Sequence, residues 1–78
     1  RYFAARGKAY LNSRTYNYAW RDFAMSLDLD PRDAETYLNK GMAAIYLDNR
    51  EDACFCFQTA SKLGNNKAPA LIEKYCRQ

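Results

Sequence analysis

The sequence predicts an all-α protein in which two similar helical hairpins stack and a fifth helix closes the stack. Three observations support this prediction: a repeat at an offset of 34 residues, apolar residues at the spacing of one helix face, and polar breaks between the segments. A fixed period of this size is typical of stacked helical units. The matching pairs are Phe3 with Tyr37, Gly7 with Gly41, Leu11 with Ile45, Ala19 with Ala53, Phe23 with Phe57, Ser26 with Ala60 and Leu29 with Leu63.

The first hairpin is predicted to contain helices over residues 2–11 and 16–29. Thr15 stands where an N-cap would accept a free amide hydrogen of the second helix. Asp30 and Pro31 end that helix, because a proline disfavours helical geometry in the residue before it.

The second hairpin repeats this design, with helices predicted over residues 34–47 and 51–63. Asn49 is the matching N-cap candidate. Gly64 follows the last helix and is expected to end it in a left-handed conformation, which glycine adopts without steric cost.

A fifth helix is predicted over residues 68–77, with Pro69 near its start, where a missing amide hydrogen does no harm. Tyr75 stands where the repeat would place a third glycine, so this helix is expected to cap the stack. The predicted units are residues 1–33, residues 34–67 and a capping segment, residues 68–78.

Composition indicates a folded domain with an ordinary solvated surface. The 78 residues are 49% hydrophobic, and the 12 basic and 9 acidic residues are spread along the chain. Nucleic acid is not an expected partner, because a phosphate-binding surface concentrates basic side chains on one face. No stretch approaches the roughly 20 apolar residues that span a bilayer, so membrane insertion is not expected. Because the chain starts at Arg1, we interpret it as part of a longer protein.

The repeat resembles the tetratricopeptide repeat family. In that family each unit of two helices carries large apolar residues, a glycine and small residues in a fixed order. The resemblance implies a right-handed superhelical stack of antiparallel hairpins. The final segment is also similar to terminal units of bacterial, Bacteroidetes-type repeat proteins. The alternative is the related Sel1-like family, which the uninterrupted offset disfavours. The residues that carry the resemblance are Phe3, Gly7, Tyr10, Ala19, Phe23, Ser26 and Pro31 in the first unit and Tyr37, Gly41, Ala53, Phe57 and Ala60 in the second.

The resemblance implies a binding function, because the first helix of each unit in that family lines a groove that holds peptides or partner helices. Register places Arg1, Ala4 and Glu35 on this face. The predicted ligand contacts are Lys8, Leu11, Asn12, Leu38, Asn39, Met42, Ile45 and Tyr46. The apolar strip among them is expected either to meet a partner or to pack under the last helix. The residues expected where helices cross are Gly7, Ala19, Phe23, Gly41, Ala53, Phe57 and Ala60.

The three cysteines fall short of a zinc site, because the chain has no histidine and no Cys-x-x-Cys pair. Cys54 and Cys76 lie level in a hairpin centred on Asn65, so they form either a disulfide or a pair of free thiols. A disulfide would indicate a periplasmic or other extracytoplasmic compartment, and free thiols a cytoplasmic one. Cys56 is expected to be free.

Catalysis is not expected, because the usual general base is missing and the carboxylate pairs lie at helix ends. No cofactor is expected. The sequence therefore predicts a non-catalytic scaffold for a protein or peptide ligand. The alternative is an assembly module that self-associates through its N-terminal helix.

Overall fold

In the computed structural model, which describes residues 1–77, the chain forms five α-helices and these residues contain no strand. The helices are α1 (Tyr2–Asn12), α2 (Tyr16–Leu29), α3 (Ala34–Tyr46), α4 (Arg50–Lys62) and α5 (Ala68–Cys76). Each helix packs on the next one along the chain, and α1 also touches α3. The predicted all-α stack of helical hairpins is confirmed, and every helix end lies within one residue of its predicted position.

The turn inside each hairpin has the same backbone conformation in both units. Arg14 and Asp48, which are 34 positions apart, adopt φ of 63° and 61°. The Thr15 amide donates to the Tyr10 carbonyl at 2.8 Å, and the Asn49 amide donates to the Ala44 carbonyl at 2.9 Å. This six-to-one bond across a left-handed residue defines a Schellman motif, which satisfies carbonyls left free at a helix end.

The end of α4 has the same motif, with Gly64 at φ 100° and the Asn65 amide bonded to the Ala60 carbonyl at 2.9 Å. Gly64 therefore ends the helix in the left-handed conformation expected of it. Asn65 then accepts hydrogen bonds from the amides of Lys67 and Ala68 at 2.9 and 3.2 Å, which fixes the start of α5.

The helix N-caps differ between the units. Asn49 caps α4 as predicted, with its Oδ1 accepting from the Asp52 amide at 3.1 Å. Thr15 occupies the N-cap position of α2, but the predicted hydrogen bond is wrong, because its side chain bonds no amide of that helix. The Thr15 hydroxyl lies 3.4 Å from that of Ser13 instead. Asp33 caps α3, accepting from both the amide and the hydroxyl of Thr36.

Two groups of buried apolar residues form the interior. The α2–α3 core consists of Ala19, Phe23 and Ala43. The α3–α4 core consists of Leu38, Ala44, Ala53, Phe57 and Ala60, and Ala68 at the start of α5 packs with them. Trp20 packs against both groups, so the two units share one continuous interior.

Glycine allows the two helices of each hairpin to approach closely. A Cβ on Gly7 would lie 2.6 Å from the Phe23 ring, and one on Gly41 would lie 2.5 Å from the Phe57 ring. Both rings are fully buried. The residues expected at the helix crossings are therefore buried in the structure, and each glycine faces the phenylalanine of its own unit.

Candidate interaction surface

The predicted ligand contacts lie on the two first helices of the units, α1 and α3, which touch each other. We call the surface formed by α1, α3 and the adjoining end of α2 the α1–α3 groove. A salt bridge between Lys8 Nζ and Glu35 Oε2, at 3.4 Å, joins the two helices across it. Both side chains are largely exposed, so the pair contributes little to stability and is free to exchange partners.

The apolar part of the predicted surface is less open than its residue types suggest. Leu38 is only 8% exposed and belongs to the α3–α4 core, so we assign it to the interior instead of to ligand contact. Met42 and Ile45 are half-buried against the same core, together with Leu71 and Ile72 of α5. Part of the strip therefore belongs to the interior, and its role in ligand contact stays a prediction.

Tyr46 remains a surface residue at the end of α3. Its side chain is 55% exposed, and its ring stacks on that of Tyr16 with centroids 4.4 Å apart and planes 11° apart. Stacking restricts the rotamers of both rings, so less side-chain entropy remains to be lost when a ligand binds. Tyrosine also offers a large contact area with a polar tip.

The other predicted contacts divide between surface and interior. Asn12 is exposed at the last turn of α1, whereas Leu11 is half-buried against the α2–α3 core. Asn39 is half-buried on α3, and none of the hydrogen bonds found within residues 1–77 involves its side-chain amide. An unpaired amide that reaches solvent is able to bond a peptide backbone.

A concavity lies nearer the N-terminal ends of α1 and α3. It is a cleft of about 270 Å³, lined by Arg1, Ala4, Ala5, Lys8, Ser26, Leu29, Asp30, Asp33, Glu35 and Thr36. Register had placed Arg1, Ala4, Lys8 and Glu35 on this face. The end of α2 supplies Ser26 and Leu29, which the analysis of first helices alone missed. The lining carries both charge signs, and Leu29 is 72% exposed at its edge.

An ion pair between α1 and α2, which the sequence analysis did not find, joins a buried carboxylate, Asp22, to an exposed guanidinium, Arg6. Arg6 donates to both carboxylate oxygens of Asp22, from Nε at 2.8 Å and from Nη2 at 2.9 Å. These hydrogen bonds hold the pKa of Asp22 below its ordinary value, although burial opposes them. The available signal was spacing, because Asp22 shares the inward face of α2 with Ala19 and Ser26, where a carboxylate requires a partner.

The second unit has Cys56 at the position equivalent to Asp22. Its thiol is fully buried, and burial raises the pKa of Cys56 to about 12. The thiol is therefore protonated and unreactive near neutral pH. Cys56 is the free cysteine of the structure, whereas Cys54 and Cys76 form a disulfide with their Cα atoms 5.7 Å apart.

Two negative findings concern residues 1–77. They contain no group of three or more His, Cys, Asp or Glu side chains arranged to hold a metal ion. None of their helices has both the length and the apolar character that crossing a bilayer requires.

Comparison with known proteins finds one curated relative. Human mitochondrial import receptor subunit TOM70 is 32% identical over 69 residues, which are 88% of this chain and 11% of TOM70. The chain thus spans a small part of that relative. No family model and no solved structure matches the chain. The internal repeat, the five helices and this relative together describe a tetratricopeptide-like helical repeat.

Proposed function

We propose that this chain is a non-catalytic protein-interaction module of the tetratricopeptide type, which holds an extended peptide or a partner helix along the α1–α3 groove. The observation that carries the proposal is the duplication of geometry, with the same turn at Arg14 and Asp48 and the same glycine–phenylalanine contact in both units. Stacked units of this kind present extended binding surfaces. The relative's name, a receptor subunit, agrees with a binding role.

The proposed units are residues 1–33 and 34–67, followed by residues 68–78 as a capping segment. In this arrangement the ligand follows one face of the stack from the charged cleft, past Lys8 and Asn39, to Tyr46. Charged side chains in the cleft would fix the direction of a peptide, since electrostatic complementarity favours one orientation over the reverse. Asn39 would bond the peptide backbone and Tyr46 would supply apolar contact area.

A partner captured with the full-length protein and identified by mass spectrometry provides the ligand for the test. Its affinity for the 78-residue chain is then measured by fluorescence anisotropy for the parent, Lys8→Glu and Tyr46→Ala. We expect each substitution to weaken binding about tenfold, as is common for central contact residues.

Phe55→Ala is the matched control, because Phe55 is 59% exposed, close to the exposure of Tyr46, but lies on α4. We expect it to leave affinity unchanged. Loss of binding in Phe55→Ala with normal binding in Lys8→Glu and Tyr46→Ala would place the ligand outside the groove.

A second candidate function, self-association through α1, is favoured by one exposed aromatic group. Tyr2 is 64% exposed, its ring lies 5.4 Å from that of Phe3, and the Arg6 guanidinium lies 5.0 Å from the Tyr2 ring centre. Exposed aromatic and arginine side chains are enriched at interfaces. Sedimentation over a range of concentrations tests this candidate, and a monomer at every concentration would exclude it.

A further inference from the structure

We propose that the disulfide between Cys54 and Cys76 is a redox latch that holds α5 on the rest of the fold, so that its reduction releases α5 and uncovers apolar surface. The bond joins α4 to the last residue of α5, 22 positions along the chain. The helix is therefore held at both ends, by the turn at Gly64 and by the sulfur bridge.

The helix α5 depends on these attachments because its own packing is limited. It has nine residues, of which Ala68 is fully buried, whereas Leu71, Ile72 and Tyr75 are half-buried. A helix of this length is marginal in water without tertiary contacts. Its main packing partner is α4, unlike α2 and α3, which each pack on two neighbours.

The bridge is placed where a small dithiol can reach it. Cys54 and Cys76 are both half-buried, in contrast to the fully buried Cys56. The Cys54 Sγ also lies 3.9 Å from the Tyr75 carbonyl oxygen, but a disulfide sulfur carries no proton to donate, so the bridge itself is the bond at this end of α5.

The chemistry of release is thiol–disulfide exchange with a dithiol. One thiolate of the reductant attacks a sulfur of the bridge, which breaks the S–S bond and forms a mixed disulfide. The second thiol of the reductant then displaces the protein sulfur. Two electrons and two protons pass to the protein, which gains two thiols, and the reductant leaves as an internal disulfide.

Release of α5 changes the surface of α3 and α4. The side chains of Leu71, Ile72 and Tyr75 pack against the α3–α4 core, and the Tyr75 ring lies 6.2 Å from that of Phe57. Met42 and Ile45 border the same core, so reduction also alters the α1–α3 groove. This last consequence rests on the proposed function, whereas the latch itself does not.

Hydrogen exchange of the 78-residue chain, followed by mass spectrometry with and without dithiothreitol, tests the latch. We expect reduction to accelerate exchange in α5 by about tenfold to a hundredfold and to leave α3 nearly unchanged, since the bridge constrains one terminal helix. Unchanged protection in α5, or equal loss in all helices, would overturn the proposal. So would a chain in which no Cys54–Cys76 bond is found by mass spectrometry after oxidation.

Two variants separate the bridge from other effects of the reductant. Cys54→Ser with Cys76→Ser should exchange like the reduced parent and should not respond to dithiothreitol. Cys56→Ala should keep the response of the parent. For the groove, we expect a change of about tenfold in partner affinity on reduction. Equal partner affinities of the oxidised and reduced chains would overturn the proposal that the disulfide regulates the groove. The groove assignment itself is judged separately, on Lys8→Glu and Tyr46→Ala.

Discussion

At the scale of single residues, Gly41 shows how the repeat restricts side-chain size. An added Cβ would lie 2.5 Å from the Phe57 ring, which is fully buried, so the ring or the backbone would have to shift. Alanine gains about 1 kcal/mol of helix propensity over glycine. Overpacking of a buried site costs about 1–3 kcal/mol, so the steric cost should win.

We therefore expect Gly41→Ala to lower the free energy of unfolding by about 1 kcal/mol, and by no more than about 2 kcal/mol, in urea denaturation. The rescue variant is Phe57→Leu, whose smaller side chain leaves room for the methyl group. In that background Gly41→Ala should cost less or become stabilising. An equal cost in both backgrounds would show that the glycine–phenylalanine contact is not the reason for the glycine.

The Arg6–Asp22 pair predicts a specific pH dependence. Because the folded pKa of Asp22 lies below its unfolded value of about 3.9, its stabilisation is present above that pH and is lost as pH falls through the folded pKa. Asp22→Asn should therefore flatten the decline in the free energy of unfolding below about pH 4.

The matched control for this pair is Glu73→Gln, which removes a carboxylate from an exposed salt bridge with Arg77. Exposed pairs contribute little to stability, so this variant should follow the pH profile of the parent. The same flattening in both variants would mean that total charge, and not the Arg6–Asp22 pair, determines the acid response.

At the scale of helices and turns, the two N-caps inside the hairpins should differ in strength. Asn49 bonds the Asp52 amide, whereas the Thr15 side chain makes no cap bond. Replacing a bonded cap with alanine typically costs about 1 kcal/mol. Asn49→Ala should therefore lower the thermal midpoint clearly more than Thr15→Ala, and equal shifts would contradict the assigned cap geometry.

Arg14 offers a stabilising substitution, because it holds φ of 63° with a side chain that disfavours this conformation. The left-handed region costs about 1–2 kcal/mol for a residue with a Cβ, while glycine adds about 0.5–1 kcal/mol of chain entropy to the cost of folding. Arg14→Gly should therefore raise the free energy of unfolding by about 0.5–1 kcal/mol in urea denaturation. Gly64→Ala, at φ 100°, should act in the opposite direction.

Helix positions could be predicted from the sequence because their causes are local. Asn49, Gly64 and Pro31 act on residues within one helical turn of themselves, so their effects can be recognised in the amino-acid sequence. The Arg6–Asp22 pair and the cleft depend on which helices meet. So does a hydrogen bond from the Trp20 indole N–H on α2 to the Asp52 carboxylate on α4. Apolar spacing identifies an inward face but does not identify the side chain that will stand opposite.

At the scale of the whole molecule, the two units form one compact body. The radius of gyration is 11.2 Å, close to the roughly 11.5 Å expected for a globular domain of this length. Trp20 joins the units, since it packs against both cores and its indole N–H donates to Asp52 Oδ2 at 2.8 Å. The Lys40 ammonium lies 4.6 Å from the centre of its ring. Helices from both units thus depend on one side chain.

This arrangement predicts a single cooperative unfolding transition for the oxidised chain. Trp20 is the only tryptophan, so its fluorescence reports the junction between units, while far-UV circular dichroism reports helices throughout the chain. The two urea midpoints should coincide, as in two-state unfolding. Trp20→Phe removes the hydrogen bond to Asp52 and should lower the free energy of unfolding by about 1–2 kcal/mol. The circular dichroism midpoint should therefore move to a lower urea concentration. If the parent's fluorescence changed at lower urea than its circular dichroism, the junction would open first and the units would be independent.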